Sequence, residues 1–222
     1  MHSKSVWVVI PAHNEEKNVG SVIAGVKRHC HNIVLVDDGS SDHTALIGEK
    51  AKVRVLRHIV NLGKGCALKT GCDFAVNHGA GMLIAIDADA QHDPDEIPNF
   101  ISELNKGAGI VFGYRKFNKN MPFILKIGNW GIGLFVKLLY NIKLHDTQCG
   151  YRAFTSDAYK MIRWRASDYS MESEAIANVG RHSLKYSEIP IQTIYSDKYK
   201  GTTVLDGIKI VINMLFWRLR WF

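Results

Sequence analysis

Cysteine is scarce in this chain of 222 residues: Cys30, Cys66, Cys72 and Cys149 include no Cys-x-x-Cys pair and form no zinc-ligand spacing. A reducing, cytosolic setting fits that usage. There is no run of five Lys or Arg and no nucleic-acid-binding fingerprint, so no nucleic-acid partner is expected. No apolar stretch reaches the roughly 18 to 20 residues that span a bilayer, and no transmembrane helix is expected. Also missing is an apolar leader with a small-residue cleavage site. Met1-His2-Ser3-Lys4 runs straight into Val6 to Ile10, and export by that route is not expected. Acidic residues are the minority, 21 against 28 Lys and Arg, and the resulting net charge of +7 favours an anionic partner such as a phosphorylated metabolite or an anionic membrane surface. Repeats and low-complexity linkers are absent as well.

What is present reads as one domain. A hydrophobic content of 46% suffices for a sizeable core at this length. Strand-like runs at Val6 to Ile10, Ile33 to Val36, Val53 to Leu56, Met82 to Ile86 and Ile110 to Phe112 alternate with helix-length segments. That rhythm indicates βαβ units, an α/β class and a mainly parallel sheet flanked by helices. The runs are continuously apolar rather than alternating, as expected of strands covered on both faces. Asp93 followed by Pro94 reads as a cap and first helical position, predicting a helix over Asp95 to Lys106. Two further segments, Pro122 to Tyr140 and Leu205 to Phe222, are amphipathic, and the second ends in Trp217, Arg218, Arg220, Trp221 and Phe222. Basic and aromatic residues together suit a membrane interface, or the face packs on the domain itself or on a second subunit.

The residues that follow the strands are unusually polar. In open α/β sheets ligands bind beyond the C-terminal strand ends, where this chain places Pro11-Ala12-His13-Asn14-Glu15-Glu16, Asp37-Asp38-Gly39-Ser40-Ser41-Asp42 and Asp87-Ala88-Asp89-Ala90-Gln91. Strand alternation puts Asp87 and Asp89 on one face, joined by Gln91 if the chain stays extended. Three hard oxygen donors suit Mg²⁺ or Mn²⁺. Asp37 and Asp38 can accept hydrogen bonds from a base edge or ribose hydroxyls. Each motif alone reads equally as a solvated acidic loop or a turn with a helix cap.

Together, in order, they resemble a known pattern. Val8 to Glu16, Val34 to Thr44, Asn61-Leu62-Gly63-Lys64-Gly65, Asp87 to Pro94, Gly113-Tyr114-Arg115 and Asp146-Thr147-Gln148-Cys149-Gly150-Tyr151-Arg152-Ala153-Phe154 resemble the family 2 glycosyltransferases of the GT-A (Rossmann-like) fold. Within these the chain is similar to the polyprenyl-phosphate sugar transferases of the dolichyl-phosphate mannose or glucose synthase type.

The resemblance implies an inverting, metal-dependent enzyme that moves a hexose, mannose or glucose, from a nucleoside diphosphate sugar to a polyprenyl phosphate. It implies Pro11, Ala12, Glu15, Asp37 and Asp38 around the nucleotide, Lys64 on a phosphate or ribose, and Asp87, Asp89 and Gln91 on the metal, with Asp89 the principal ligand. Arg115 is implied to bind the acceptor phosphate. Lys126 stands close to where a second arginine is usual, and Lys198 lies where relatives carry a basic residue over the diphosphate. Asp146 is implied to position the acceptor or sugar, and Glu174 occupies the region of the general base of hydroxyl-acceptor relatives. The expected organisation is a GT-A domain over residues 1–203 and an amphipathic membrane-interface helix over 204–222. The expected place is the cytoplasmic face of a membrane, held peripherally or by a membrane-embedded partner subunit. Two other readings are a family 2 transferase acting on a glycan hydroxyl and a nucleotide-sugar-binding module without turnover.

Overall fold

The computed structural model describes residues 5–115, 131, 133–134, 136–168 and 170–192. The five apolar runs become strands β1 (Val6–Ala12), β2 (Ile33–Asp37), β3 (Arg54–Arg57), β4 (Met82–Ala85) and β5 (Ile110–Arg115), and β6 (Arg152–Thr155) and β7 (Tyr186–Ile191) join them. Between them lie the helices α1 (Val19–Lys27), α2 (Thr44–Lys50), α3 (Lys64–Asn77), α4 (Ile97–Asn105), α5 (Ser156–Ile162) and α6 (Met171–Arg181). The sheet order is β3-β2-β1-β4-β6-β5-β7. All neighbours run parallel except β6, which lies antiparallel to both β4 and β5. The mainly parallel α/β sheet expected from the sequence is the observed one.

The continuous apolar character of β1 has a direct cause. Val8 and Ile10 enter one core, with Val22 and Ile23 of α1 and Phe100 of α4, whereas Val9 enters the other, with Ala67 and Leu68 of α3 and Tyr159 and Ile176 from α5 and α6. Both faces are covered, so neither set of alternate side chains is polar. Burying each large side chain such as Phe100 or Leu35 contributes roughly 1.5–3 kcal/mol.

Two local expectations meet different outcomes. Asp93 caps as expected, its Oδ1 accepting from Asp95 N at 2.9 Å, with Pro94–Glu96 as one 3₁₀ turn and α4 following. The acidic stretch does not continue β4: the strand ends at Ala85, and Ala90 takes φ 60°, in the left-handed region. Asp89 Oδ1 closes that turn by accepting from Gln91 N at 3.0 Å. Of the segment expected at Pro122 to Tyr140, residues 136–140 are helical with Val136 and Tyr140 in the core. Lys126, Lys198 and the amphipathic stretch over 204–222 lie outside the described residues. No helix among the described residues is long and apolar enough to cross a membrane.

Candidate active site

Strand order reverses between β1 and β4, each of which continues the sheet in its own direction, and the crevice expected at such a switch point is present. It is a cavity of about 550 Å³. Pro11, Ala12, His13 and Glu15 reach it from the end of β1, Asp38 from β2, Gly63 and Lys64 from the start of α3, and Asp87, Asp89, Gln91 and His92 from the turn after β4. Arg115, Gln148, Cys149, Gly150 and Glu172 close it from the later half of the chain.

The first two loops are laced together. Asn14 N donates to Ser40 Oγ at 2.9 Å, Glu15 N to Thr44 Oγ1 at 2.9 Å and Ser41 N to Asn14 Oδ1 at 2.9 Å. Asp38 holds the segment before α3: its Oδ1 accepts from Leu62 N and His58 Nδ1, and its Oδ2 from Gly63 N at 2.8 Å. Asp37 is placed otherwise than expected. Fully buried beneath the loop, it accepts from Ser40 N at 3.1 Å and pairs with Arg57 Nε at 3.0 Å, away from the cavity lining. A carboxylate already matched by a guanidinium and an amide has the role of fixing the turn.

Lys64 is the centre of charge on the opposite wall. Its Nζ lies 2.9 Å and 3.0 Å from the two Asp87 oxygens and 3.1 Å from Glu172 Oε1. Burial pushes the Lys64 ammonium down, but Asp87 and Glu172 outweigh it and hold the group charged. Burial likewise pushes Asp87 up, and Lys64 more than offsets this, leaving its carboxyl below the ordinary value. Asp89 differs: burial first and Asp87 second raise it. Burial takes the neighbouring His92 down to about 4, so its imidazole is neutral at physiological pH. Burial also pushes the Cys149 thiol up to about 12, an inert thiol as expected of a small buried side chain.

No three His, Cys, Asp or Glu side chains form a ready cation cage among the described residues. The donor set nevertheless fits Mg²⁺ or Mn²⁺. Such ions commonly take one or two protein carboxylates and complete their shell with water and substrate phosphates, and the raised Asp89 marks an anionic oxygen that a cation would relieve.

Arg115 carries positive charge on the far side of the cavity. Asp146, 2% exposed, clamps it, accepting from Arg115 Nε at 2.7 Å and from Nη2 at 3.2 Å. The bidentate pair fixes the plane of the guanidinium. Asp146 is thus a support for Arg115 and does not line the cavity. Glu174 is the clearest correction: its carboxylate accepts from Arg165 N at 3.0 Å and Ala166 N at 2.8 Å and stands outside the cavity. Those two N–H groups belong to the strap 164–168, which covers the start of α3, where Gly65 N donates to Ser167 O at 2.7 Å. A Cβ on Gly65 would meet Ala166 O at 2.5 Å, which is why glycine stands beside Lys64.

A family model described as Glycosyl transferase family 2 matches residues 7–166. The chain belongs to glycosyl transferase family 2. Among similar curated proteins is an uncharacterized protein of Methanocaldococcus jannaschii, 36% identical over 229 residues that cover 99% of this chain and 94% of the relative. Another is the UDP-N-acetylglucosamine–dolichyl-phosphate N-acetylglucosaminyltransferase of Methanococcus voltae, 35% identical over 246 residues that cover 99% of this chain and 98% of the relative. Among solved structures, glucosyl-3-phosphoglycerate synthase from Mycobacterium tuberculosis in complex with Mn²⁺, UDP and phosphoglyceric acid superposes with a TM-score of 0.76 at 18% identity, covering 97% of this chain and 78% of that one. That likeness is one of fold, and it places the sheet described above in the GT-A class.

Within this family 2 glycosyltransferase, sequence reading missed three residues. Glu172 lies on the cavity where Glu174 was expected. Two positions apart on a helix are turned by roughly 200°, so only one of the pair can face inward, and spacing alone does not say which. His92 stood beside a motif without an assigned role. Arg152, 2% exposed, donates from Nε to Cys149 O, from Nη1 to Glu172 O and from Nη2 to Thr147 O, at 2.9, 3.0 and 3.1 Å. It ties the 147–149 loop to the start of α6, and its place directly after Gly150-Tyr151 was the available signal.

Proposed function

We propose that this transferase moves a sugar, with inversion, from a nucleoside diphosphate sugar to a polyprenyl phosphate. Arg115, fixed by Asp146 at the cavity while Glu174 is taken up by backbone amides, is the observation that carries the reading. A phosphate acceptor with a second pKa near 6 is already largely ionised at neutral pH and calls for a cation, not a general base. A hydroxyl acceptor would call for a base, but Glu174, the glutamate considered for it, is engaged by Arg165 and Ala166, and Glu172 on the cavity is engaged by Lys64.

In this reading Pro11, Ala12, Glu15 and Asp38 flank the nucleotide, and Lys64 contacts its diphosphate. Asp87, Asp89 and Gln91 would hold Mg²⁺ or Mn²⁺, which when bound supplies positive charge for the departing diphosphate. The acceptor phosphate oxygen, oriented by Arg115, attacks the anomeric carbon from the face opposite the diphosphate. The new carbon–oxygen bond forms as the bond to the diphosphate breaks, and the nucleoside diphosphate leaves. The donors to be tried first are UDP-N-acetylglucosamine, because the Methanococcus voltae relative is named for it, with GDP-mannose and UDP-glucose. Residues 1–203 are proposed as the catalytic domain, with Lys126 and Lys198 as further phosphate contacts. Residues 122–140 and 204–222 are proposed to hold it peripherally on the cytoplasmic membrane face, alone or with a membrane-embedded subunit.

The test supplies each labelled donor with Mn²⁺, and either polyprenyl phosphate in vesicles or soluble glycans. A mild-acid-labile glycolipid is expected. Label on the glycan alone would replace this reading with the hydroxyl-acceptor one, and nucleotide-sugar binding without turnover on any acceptor would replace it with a binding module.

A further inference from the structure

Glu172 belongs to none of the motifs after the strands, yet it reaches the cavity at 4% exposure and places Oε1 3.1 Å from Lys64 Nζ. The same ammonium touches both oxygens of Asp87. Three backbone constraints hold the trio in place. Lys64 opens α3 under the strap, Glu172 sits in the first turn of α6 with its carbonyl fixed by Arg152, and Gly150 packs against the pair so closely that a Cβ would meet Asp87 Oδ2 at 2.5 Å and Lys64 Nζ at 2.7 Å.

The consequence is one of charge. A lysine paired with Asp87 alone would cancel the carboxylate that a divalent cation needs. With a second carboxylate on the same ammonium, Glu172 balances Lys64 and the charge of Asp87 is left to act with Asp89. Nearby, Arg115 is paired with Asp146, Asp38 lies 2.7 Å from His58, and the buried Arg152 guanidinium is taken up by the carbonyls of Thr147, Cys149 and Glu172. We infer that Glu172 is a positioning residue for the cation seat: it neutralises Lys64, so that Asp87 remains available to a divalent ion while the ammonium stays beside it. The inference rests on the metal-dependent reading given above.

The experiment measures Mn²⁺ binding by the electron paramagnetic resonance signal of the free ion, with Mn²⁺ alone so that a phosphate contact of Lys64 does not enter. Wild type, Glu172→Gln, Lys64→Met, the double variant and Asp89→Asn are compared, with thermal unfolding of each. Glu172→Gln is expected to weaken Mn²⁺ about 10- to 100-fold, the range found when groups behind metal ligands are removed. Lys64→Met is expected to tighten it, and the double variant to return to within a few-fold of wild type. An ion pair that only braces α6 against α3 would lower the unfolding temperature and leave Mn²⁺ affinity unmoved. Wild-type affinity in Glu172→Gln, or a double variant as weak as the single, overturns the inference. Should Glu172→Gln not fold, Lys64→Met decides alone, and unchanged or weakened Mn²⁺ binding there overturns it. Absence of Mn²⁺ binding in wild type, or equal binding by Asp89→Asn, sinks the metal-dependent reading instead.

Discussion

At the scale of single residues, Asp87 and Asp89 share a turn but not an environment. Lys64 compensates Asp87, whereas burial and the neighbouring carboxylate raise Asp89. An acid whose pKa is higher in the folded chain than in the unfolded one costs stability above the folded value, and that cost disappears as pH falls below the unfolded one. At neutral pH and without metal, Asp89→Asn is therefore expected to raise the unfolding temperature. Turnover with Mn²⁺ should fall by about 10²-fold or more, the scale of losing one electrostatic contact to developing charge. Scanning calorimetry and initial rates with labelled donor check the two directions, and a fall in both would mean that Asp89 is structural. The trade of stability for a poised charge is typical of a site. Asp37 and Asp38 make a second contrast: adjacent acids in one motif, of which only Asp38 reaches the cavity. The sequence marks both as acids after a strand, but only coordinates reveal Arg57 folded back onto Asp37.

Among elements, the strap 164–168 governs the start of α3 by close approach. Glu174→Ala would leave the half-buried amides of Arg165 and Ala166 without their acceptor, at a cost of about 1 kcal/mol for each hydrogen bond lost. A chemical-denaturation midpoint shifted to lower denaturant, together with a loss of turnover, is expected. Loss of turnover at unchanged stability would instead return Glu174 to the chemistry. Most legible in advance are the strands buried on both faces, whereas β3 at the sheet edge, exposed at Arg54 and Arg57, is read from Val53, Val55 and Leu56. β1, β2 and β4 are covered on both faces and read as unbroken apolar runs. β6 and β7 escaped because Arg152 opens one and Pro190 interrupts the other, tolerable in β7 because it is an edge strand. The condition that Asp87 to Gln91 stay extended is not met for a related reason: alternation describes a strand, and the left-handed Ala90 ends that description. The three side chains nonetheless reach one cavity.

For the whole molecule, the net charge of +7 bears on the proposed membrane surface. Binding to vesicles containing anionic lipid should weaken steeply as salt is raised, because the Debye length shrinks to about 3 Å at 1 M. Sedimentation with neutral and anionic vesicles checks this, and equal binding to both would remove the electrostatic contribution. The insertion of β6 between β4 and β5 has a further consequence, felt during synthesis. The strand that flanks β4 on the side away from β1 comes from Arg152–Thr155, and Glu172 from later still. A ribosome that has released only the first half of the chain has made the loops after β1 and β2 and the acidic turn, but not the partner strand or the second carboxylate on Lys64. The cavity lining runs from Pro11 to Glu172, so the cavity is complete only when both halves of the chain have been made.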